Sequence, residues 1–196
     1  MKVGVLALQG DFIEHQAVLQ KLGVEVRQVR LPAHLEGLSG LIMPGGESTT
    51  IGKLAVEFGL IEPLRAFGRE HAIWGTCAGA IFMSKDIHRN QPLLGLMDIT
   101  VTRNAFGRQV DSFEVDLPIH FPKSANFSGN GSEPPFHAVF IRAPLIEKVS
   151  GDAVILSQLA DGRIVAAQQG RLLATSFHPE LTPDDRFHRF FLELAT

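Results

Sequence analysis

A Gly-x-Cys-x-Gly turn at the end of an apolar run constrains this chain more than any other segment. Ile73-Trp74 leads into Gly75-Thr76-Cys77-Ala78-Gly79, and an Ala-rich, helix-compatible stretch follows. That order is the cysteine version of a nucleophile elbow, where a strand breaks sharply into a helix and presents its reactive side chain at the bend. Glycines at 75 and 79 lack a Cβ, so strand and helix can close around a strained residue. A thiol there sits at a helix N-terminus, whose free N–H groups and positive dipole end favour thiolate. A lone cysteine among small residues also fits an inert core position, so the chemical reading requires further groups.

Those groups stand near the other end of the chain, in Thr175-Ser176-Phe177-His178-Pro179-Glu180. A cysteine nucleophile needs a base, and the base needs a group to orient it. Pro179 disfavours helix and pushes His178 toward an extended conformation. In extended backbone, residues two apart project to the same side, so Glu180 is expected to reach the His178 ring. Alone, the pair also fits a surface salt bridge or a loop cap. Beside the elbow it reads as a base and its orienting carboxylate, with Cys77, His178 and Glu180 as the expected catalytic residues.

A third segment runs from an apolar strand, Leu41-Ile42-Met43, through Pro44-Gly45-Gly46 into Glu47-Ser48-Thr49-Thr50. Paired glycines let a backbone N–H turn toward a bound group without side-chain obstruction. The N–H groups of Gly46 and Ala78 are therefore expected to form an oxyanion hole for a tetrahedral acyl intermediate. The same stretch also suits a strand-to-helix turn capped by Ser48 or Thr49, and both roles are compatible.

Gly-Thr-Cys-Ala-Gly, Pro-Gly-Gly-Glu-Ser-Thr-Thr and Ser-Phe-His-Pro-Glu, in these positions, resemble a class I (triad) glutamine amidotransferase domain. Within that family the chain is similar to the glutaminase subunits of pyridoxal 5′-phosphate synthases. That similarity is carried by Leu8-Gln9-Gly10, by the run from Arg103 through Arg108-Gln109 to Glu114, and by Phe140-Ile141-Arg142-Ala143-Pro144. It spans essentially the whole chain. The resemblance implies a flavodoxin-like α/β fold and hydrolysis of L-glutamine to L-glutamate and ammonia through a cysteinyl thioester. It also implies Gly46, Glu47, Ser48, Arg103, Ile141 and Arg142 as glutamine contacts, and Gln9 as a residue of the partner-docking region. The implied partner is a pyridoxal 5′-phosphate synthase subunit that accepts the ammonia in a hetero-oligomer. Chemically, Arg103 suits the substrate α-carboxylate because its guanidinium is a planar fork, although a plain surface arginine has the same spacing.

Two other readings fit parts of the chain. One is a glutaminase for another acceptor, such as the imidazole glycerol phosphate synthase system; the Gly-Gly-Glu-Ser and 103–114 segments count against it. The other is a non-catalytic or redox-sensing module on the same fold, which would have no use for His-Pro-Glu.

A length of 196 residues suits a single domain spanning 1–196 around one sizeable core. A net charge of -3 with scattered Lys and Arg gives no electrostatic footing for nucleic acid or an anionic membrane. One cysteine cannot form an internal disulfide, which suits a reducing cytoplasm. No apolar stretch is long enough to cross a bilayer, and the N-terminus lacks a signal-peptide pattern. The eight histidines lack metal-ligand spacing; His15, His34, His71 and His88 read as surface residues. No metal and no cofactor is expected.

Strand and helix signals alternate through the first half: strands over 3–8, 24–30, 41–43 and 72–74, a helix over 11–22, and helical stretches to 67. The second half carries short strand-like runs over 99–102, 110–115, 138–142, 154–159, 163–168 and 172–177, with Asp161-Gly162 as a hairpin signal. A closing helix is expected over 184–194, and a surface loop over 121–135. The rhythm predicts an α/β fold: a mostly parallel central sheet with helices on both faces, and ligands at the C-terminal ends of the strands.

Overall fold

Glycine contacts at the centre of the chain show how tightly sheet and helix are joined. In the computed structural model, which describes residues 1–103, 112–122 and 134–196, a Cβ added to Gly79 would lie 1.9 Å from the Met43 carbonyl oxygen. One added to Gly75 would lie 2.5 Å from the Gly79 carbonyl carbon. The helix holding Gly79 therefore rests directly on the strands holding Met43 and Gly75, and no side chain larger than hydrogen fits between them.

The elements built around that contact begin with β1 (Lys2–Leu6), α1 (Phe12–Lys21), β2 (Glu25–Val29) and β3 (Gly40–Met43). Next come α2 (Ser48–Glu57), α3 (Ile61–Glu70), β4 (Ala72–Thr76), α4 (Ala78–Met83), β5 (Ser84–Asp86) and β6 (Met97–Thr102). The second half holds β7 (Ser112–Leu117), β8 (Phe136–Ile141), β9 (Leu145–Val149), β10 (Val154–Gln158), β11 (Ile164–Gln169), β12 (Leu172–Thr175) and α5 (Arg186–Leu194).

Ten of these strands form one sheet in the order β2-β1-β3-β4-β12-β11-β9-β6-β5, with β10 on β11. The β2-β1-β3-β4-β12 half is parallel throughout. Beyond it β12–β11, β11–β10, β11–β9 and β9–β6 pair antiparallel, and β5–β6 returns to parallel. The β10–β11 hairpin is the one that Asp161-Gly162 signalled, with Gly162 at φ 85°. A β7–β8 ribbon stands apart as its own two-stranded sheet.

Successive residues of a strand face opposite sides, and both sides are apolar here, as a covered parallel sheet requires. Val3, Val5, Ile42, Trp74 and Leu173 face Leu19 of α1 and Phe187, Phe190 and Phe191 of α5. Leu41, Met43, Ile73, Leu172 and Ala174 face Ile51 and Ala55 of α2, Leu64 and Phe67 of α3, and all of α4 except its glycine. Helices thus cover both faces, as the alternating sequence rhythm predicts. No helix among the described residues is long and apolar enough to cross a membrane.

The sequence reading departs from the structure at a few elements. β5 and β9 carry no clean alternation of buried and exposed residues, Ile146 being the one buried residue of β9, and have no counterpart in the sequence reading. The expected strand 110–115 is seen as Ser112–Leu117, its first two residues lying outside the described ones. Most of the 121–135 loop also lies outside them, but Phe121 packs against Phe187 and Phe190 at 5.2 and 4.8 Å between ring centres.

Candidate active site

Cys77 occupies the bend between β4 and α4 with φ 47° and ψ -104°, a left-handed conformation that L-residues rarely adopt and that costs on the order of 1–3 kcal/mol. Its surroundings enforce that conformation. The Cys77 N–H donates to the Thr175 carbonyl at 2.8 Å, and the Cys77 carbonyl accepts from Ile81 N–H at 3.2 Å. β12 on one side and the first turn of α4 on the other therefore clamp the residue. The side chain is 6% exposed, and Sγ lies 4.0 Å from the Ile141 carbonyl oxygen. Ala78 opens α4, so its N–H belongs to the first-turn donors that have no intrahelical partner.

His178, at the exit of β12, lies close enough to the Cys77 side chain for the two to act on each other electrostatically. Its Nδ1 is 2.7 Å from Glu180 Oε1 and 3.5 Å from Asp11 Oδ2, so the carboxylates take one ring nitrogen and Nε2 remains for proton transfer. The sequence reading expects an extended His-Pro-Glu segment. Instead Pro179–Leu181 forms a 3-10 turn with His178 as its N-cap, because the fixed φ of proline suits the first position of a helical turn as well as a strand. The contact between His178 and Glu180 forms even so, across the turn rather than along a strand.

Burial disfavours charge on His178, but hydrogen bonds with Cys77 and Glu180 and their negative charge outweigh it and lift its pKa to about 10. Burial also lifts the Glu180 carboxyl, against the opposing pull of His178. The folded pKa of His178 exceeds the ~6.5 of a free histidine, so folding favours its charged form. Its contribution to stability is then fully present below pH ~6.5 and is lost as pH rises through about 10. An NMR titration of the ring is expected to show a midpoint near 10 that falls in Glu180→Gln. A midpoint of ~6.5 in both proteins would mean that the pair does not form.

The glycine loop closes the other side. Gly45 faces the His178 ring so closely that a Cβ on it would lie 2.4 Å from Cε1. Its carbonyl accepts from Asp11 N–H at 3.1 Å. Gly46 has φ 149°, and a Cβ there would meet Gln9 Oε1 at 2.5 Å. Gln9 Oε1 in turn accepts from Glu47 N–H at 2.6 Å, so its side chain is fastened to the loop that carries Gly46.

Glu47, rather than Ser48 or Thr49, caps α2: its carboxylate accepts from Thr49 N–H at 3.1 Å and from Thr50 N–H at 2.6 Å. The capping expectation therefore placed the cap one or two residues too late, since Glu47 keeps extended backbone while Ser48 has already entered the helix. Burial works to raise the Glu47 carboxyl, but hydrogen bonds from Thr50 and Thr49 outweigh it and hold it at about 2. Arg103 joins this cluster, with Nη2 donating to Glu47 Oε1 at 2.9 Å and Nη1 to Thr49 Oγ1 at 2.9 Å. Ser48 is buried. Ile141 is 42% exposed and meets the sulfur through its carbonyl, and Arg142 follows it at φ 44°.

Two residues of this region have roles the sequence reading did not assign. Gln91 accepts from Arg103 Nη1 at 3.2 Å and donates to Ser48 Oγ at 3.3 Å, joining two expected substrate contacts. His15, expected at the surface, is fully buried. Asp11, His15 and Leu19 share one face of the first helical segment at four-residue spacing, and that face lies on the sheet. His34 and His71 are half-buried, while His88 is exposed and paired with Glu147 at 2.8 Å. Asp11, His178 and Glu180 are the only described residues grouped closely enough to hold a metal ion. His178 already bonds Glu180 and faces the sulfur, so the group reads as a base with its carboxylates rather than as a ligand set.

Comparison with known proteins places the chain in a family. The model of the SNO glutamine amidotransferase family matches residues 5–196. The "Pyridoxal 5'-phosphate synthase subunit PdxT" of Herpetosiphon aurantiacus is 59% identical over 199 residues, covering 99% of this chain and 100% of the relative. The protein of the same name from Roseiflexus sp. (strain RS-1) is 55% identical over 198 residues, covering 99% and 100%. A solved structure described as "Crystal structure of glutamine amidotransferase" superposes with a TM-score of 0.88 at 51% identity and covers 98% of each chain. A family match over nearly the whole length, with the elbow and its histidine in place, makes this chain a member of the SNO glutamine amidotransferase family.

Proposed function

We propose that this chain hydrolyses L-glutamine to L-glutamate and ammonia through a thioester on Cys77, and passes the ammonia to a pyridoxal 5′-phosphate synthase subunit for vitamin B6 biosynthesis. The observation that carries the reading is the strained, positive-φ cysteine beside a buried histidine that is itself paired with Glu180. Such a constellation performs acyl transfer. His178 already holds the proton given up by Cys77, as its raised pKa requires, so Sγ attacks the side-chain amide carbon as a thiolate. His178 returns the proton to the departing nitrogen, the C–N bond breaks and ammonia leaves. Water then attacks the thioester carbon and gives a proton to the now neutral His178, the C–S bond breaks, and glutamate leaves with the thiolate–imidazolium pair restored. Glu180 holds the ring and balances its charge.

The N–H groups of Gly46 and Ala78 are assigned to the developing oxyanion. Glu47, Ser48, Arg103, Ile141 and Arg142 are assigned to glutamine; the linkage of Arg103 with Glu47 and, through Gln91, with Ser48, and the approach of the Ile141 carbonyl to the Cys77 sulfur, support this. No metal or organic cofactor takes part in this chemistry. A cysteine nucleophile is best preserved in a reducing compartment, so we place the protein in the cytoplasm.

Ammonia is mostly protonated at neutral pH and is then no nucleophile, so direct transfer to a partner preserves it. The names of the relatives point to a pyridoxal 5′-phosphate synthase as that partner. Gln9, fastened to the glycine loop at the C-terminal end of β1, is assigned to the docking region, where movement of the loop would be felt at Gly46. Steady-state ammonia release tests both claims. The chain alone is expected to be a poor glutaminase that added synthase subunit activates, and Gly46→Ala to blunt that activation. Full activity in the isolated chain would contradict gating, and no glutaminase activity in either state would contradict the assignment.

A further inference from the structure

Behind Glu180, on the side away from His178, lies a buried polar cluster that the reaction above does not use. His15 of α1 and His188 of α5 are both fully buried. His15 Nδ1 and His188 Nε2 lie 3.0 Å apart. His15 Nε2 lies 3.2 Å from Glu180 Oε2 and 3.2 Å from Thr76 Oγ1, and Thr76 directly precedes Cys77. Trp74 packs edge-on against both imidazoles, at 5.5 and 4.9 Å between ring centres. Glu180 Oε1 is taken by His178. The approach of His15 to Oε2 is oblique, so this buried oxygen has no full hydrogen bond, a costly state for a carboxylate unless a donor is at hand.

The proton positions follow from the neighbours. Burial, followed by the charges of His188 and His178, holds His15 well below the usual histidine range. Burial holds His188 at about 4, against the pull of Asp185. Both rings are therefore neutral, and each carries one N–H. If the N–H groups sat on Nδ1, a bare His15 Nε2 would face Glu180 Oε2, and His188 would bury an N–H with no acceptor. With both on Nε2, His188 donates to His15, the His15 N–H lies between Thr76 Oγ1, its hydrogen-bond partner, and Glu180 Oε2, both at 3.2 Å, and His188 keeps only an unpartnered lone pair on Nδ1. The second arrangement is the better satisfied.

The geometry points to His15, oriented by His188, as a positioning residue that tethers the second carboxylate oxygen of Glu180 and so holds the first on His178. The inference rests on the Cys77–His178–Glu180 reading. A carboxylate held at one oxygen can rotate as charge develops on its histidine, whereas one held at both cannot. Because His15 does not touch glutamine in this scheme, its loss should slow turnover without weakening binding.

The test measures kcat and KM for glutamine with the synthase subunit present. His15→Leu is expected to lower kcat on the order of 10- to 100-fold, as loss of an outer partner of a working histidine does in metal sites, with KM within about twofold. His15→Gln, whose amide N–H can still reach Oε2, should recover most of the loss. In a Glu180→Gln background His15→Leu should add little, as residues acting through one another do. An unchanged kcat in His15→Leu while Glu180→Gln is crippled would overturn the tether and leave the triad standing. So would failure of the glutamine variant to rescue. Full activity in Glu180→Gln would overturn both. Long-range 1H–15N spectra of the unmutated protein provide a check independent of folding in the variants: both rings should appear as neutral Nε2–H tautomers, and an Nδ1–H on His15 would overturn the inference.

Discussion

Cys77→Ala is expected to abolish glutaminase activity, with a loss on the order of 10⁴-fold or more, while the protein stays folded. The size of the effect follows from the chemistry, because without sulfur no thioester forms and only oxyanion stabilisation and binding remain. Folding should survive because Cys77 contributes little packing volume and alanine matches the small residues around it. The left-handed conformation is set by the clamp from Thr175 and Ile81, not by the thiol. Rates of ammonia release alongside thermal unfolding separate the two effects. An unfolded variant would show that the bend needs the side chain, and an active one would remove Cys77 from the reaction.

The second large effect is expected at His178. His178→Ala removes the group assigned to carry a proton between sulfur and departing nitrogen, and should cost on the order of 10⁴-fold or more in kcat. Glu180→Gln keeps a side chain of the same shape beside Nδ1 but removes its charge, so the base stays present with weaker orientation. Its loss should be clearly smaller, on the order of 10²-fold. Kinetics of the two variants, compared at saturating glutamine with the synthase present, give the ratio directly. Equal and negligible effects would place the base elsewhere.

Much of this site is legible in the sequence because its chemistry is local. The bend at Cys77 is written in Gly75 and Gly79, which the structure shows are required by backbone contacts of 2.5 and 1.9 Å. The contact between His178 and Glu180 needs only two residues of separation and forms through a 3-10 turn as readily as through extended chain. Apolar runs mark β1, β3 and β4 because a sheet covered on both faces admits few polar residues.

Other parts are unreadable for equally physical reasons. His15 and His188 are 173 positions apart, and neither has a neighbour in sequence that reveals what it meets. His15 did carry one local sign, its four-residue spacing from Leu19 on the buried face of α1, and a histidine in an apolar stripe is a candidate for burial. Gln91 sits outside any strand or helix, and its bonds to Ser48 and Arg103 depend entirely on tertiary placement. Glu47 displaces Ser48 as the cap of α2 because its longer carboxylate reaches two N–H groups at once and also pairs with Arg103.

The central claim is that Cys77 is the nucleophile of a glutaminase, and covalent capture tests it most directly. A diazoketone analogue of glutamine, incubated with the chain and the synthase subunit and followed by peptide mass mapping, should place one label per chain on the peptide containing Cys77. Loss of activity should rise in proportion to labelling, and excess glutamine should protect. Full labelling of Cys77 with activity retained, or inactivation with the label elsewhere, would contradict the account.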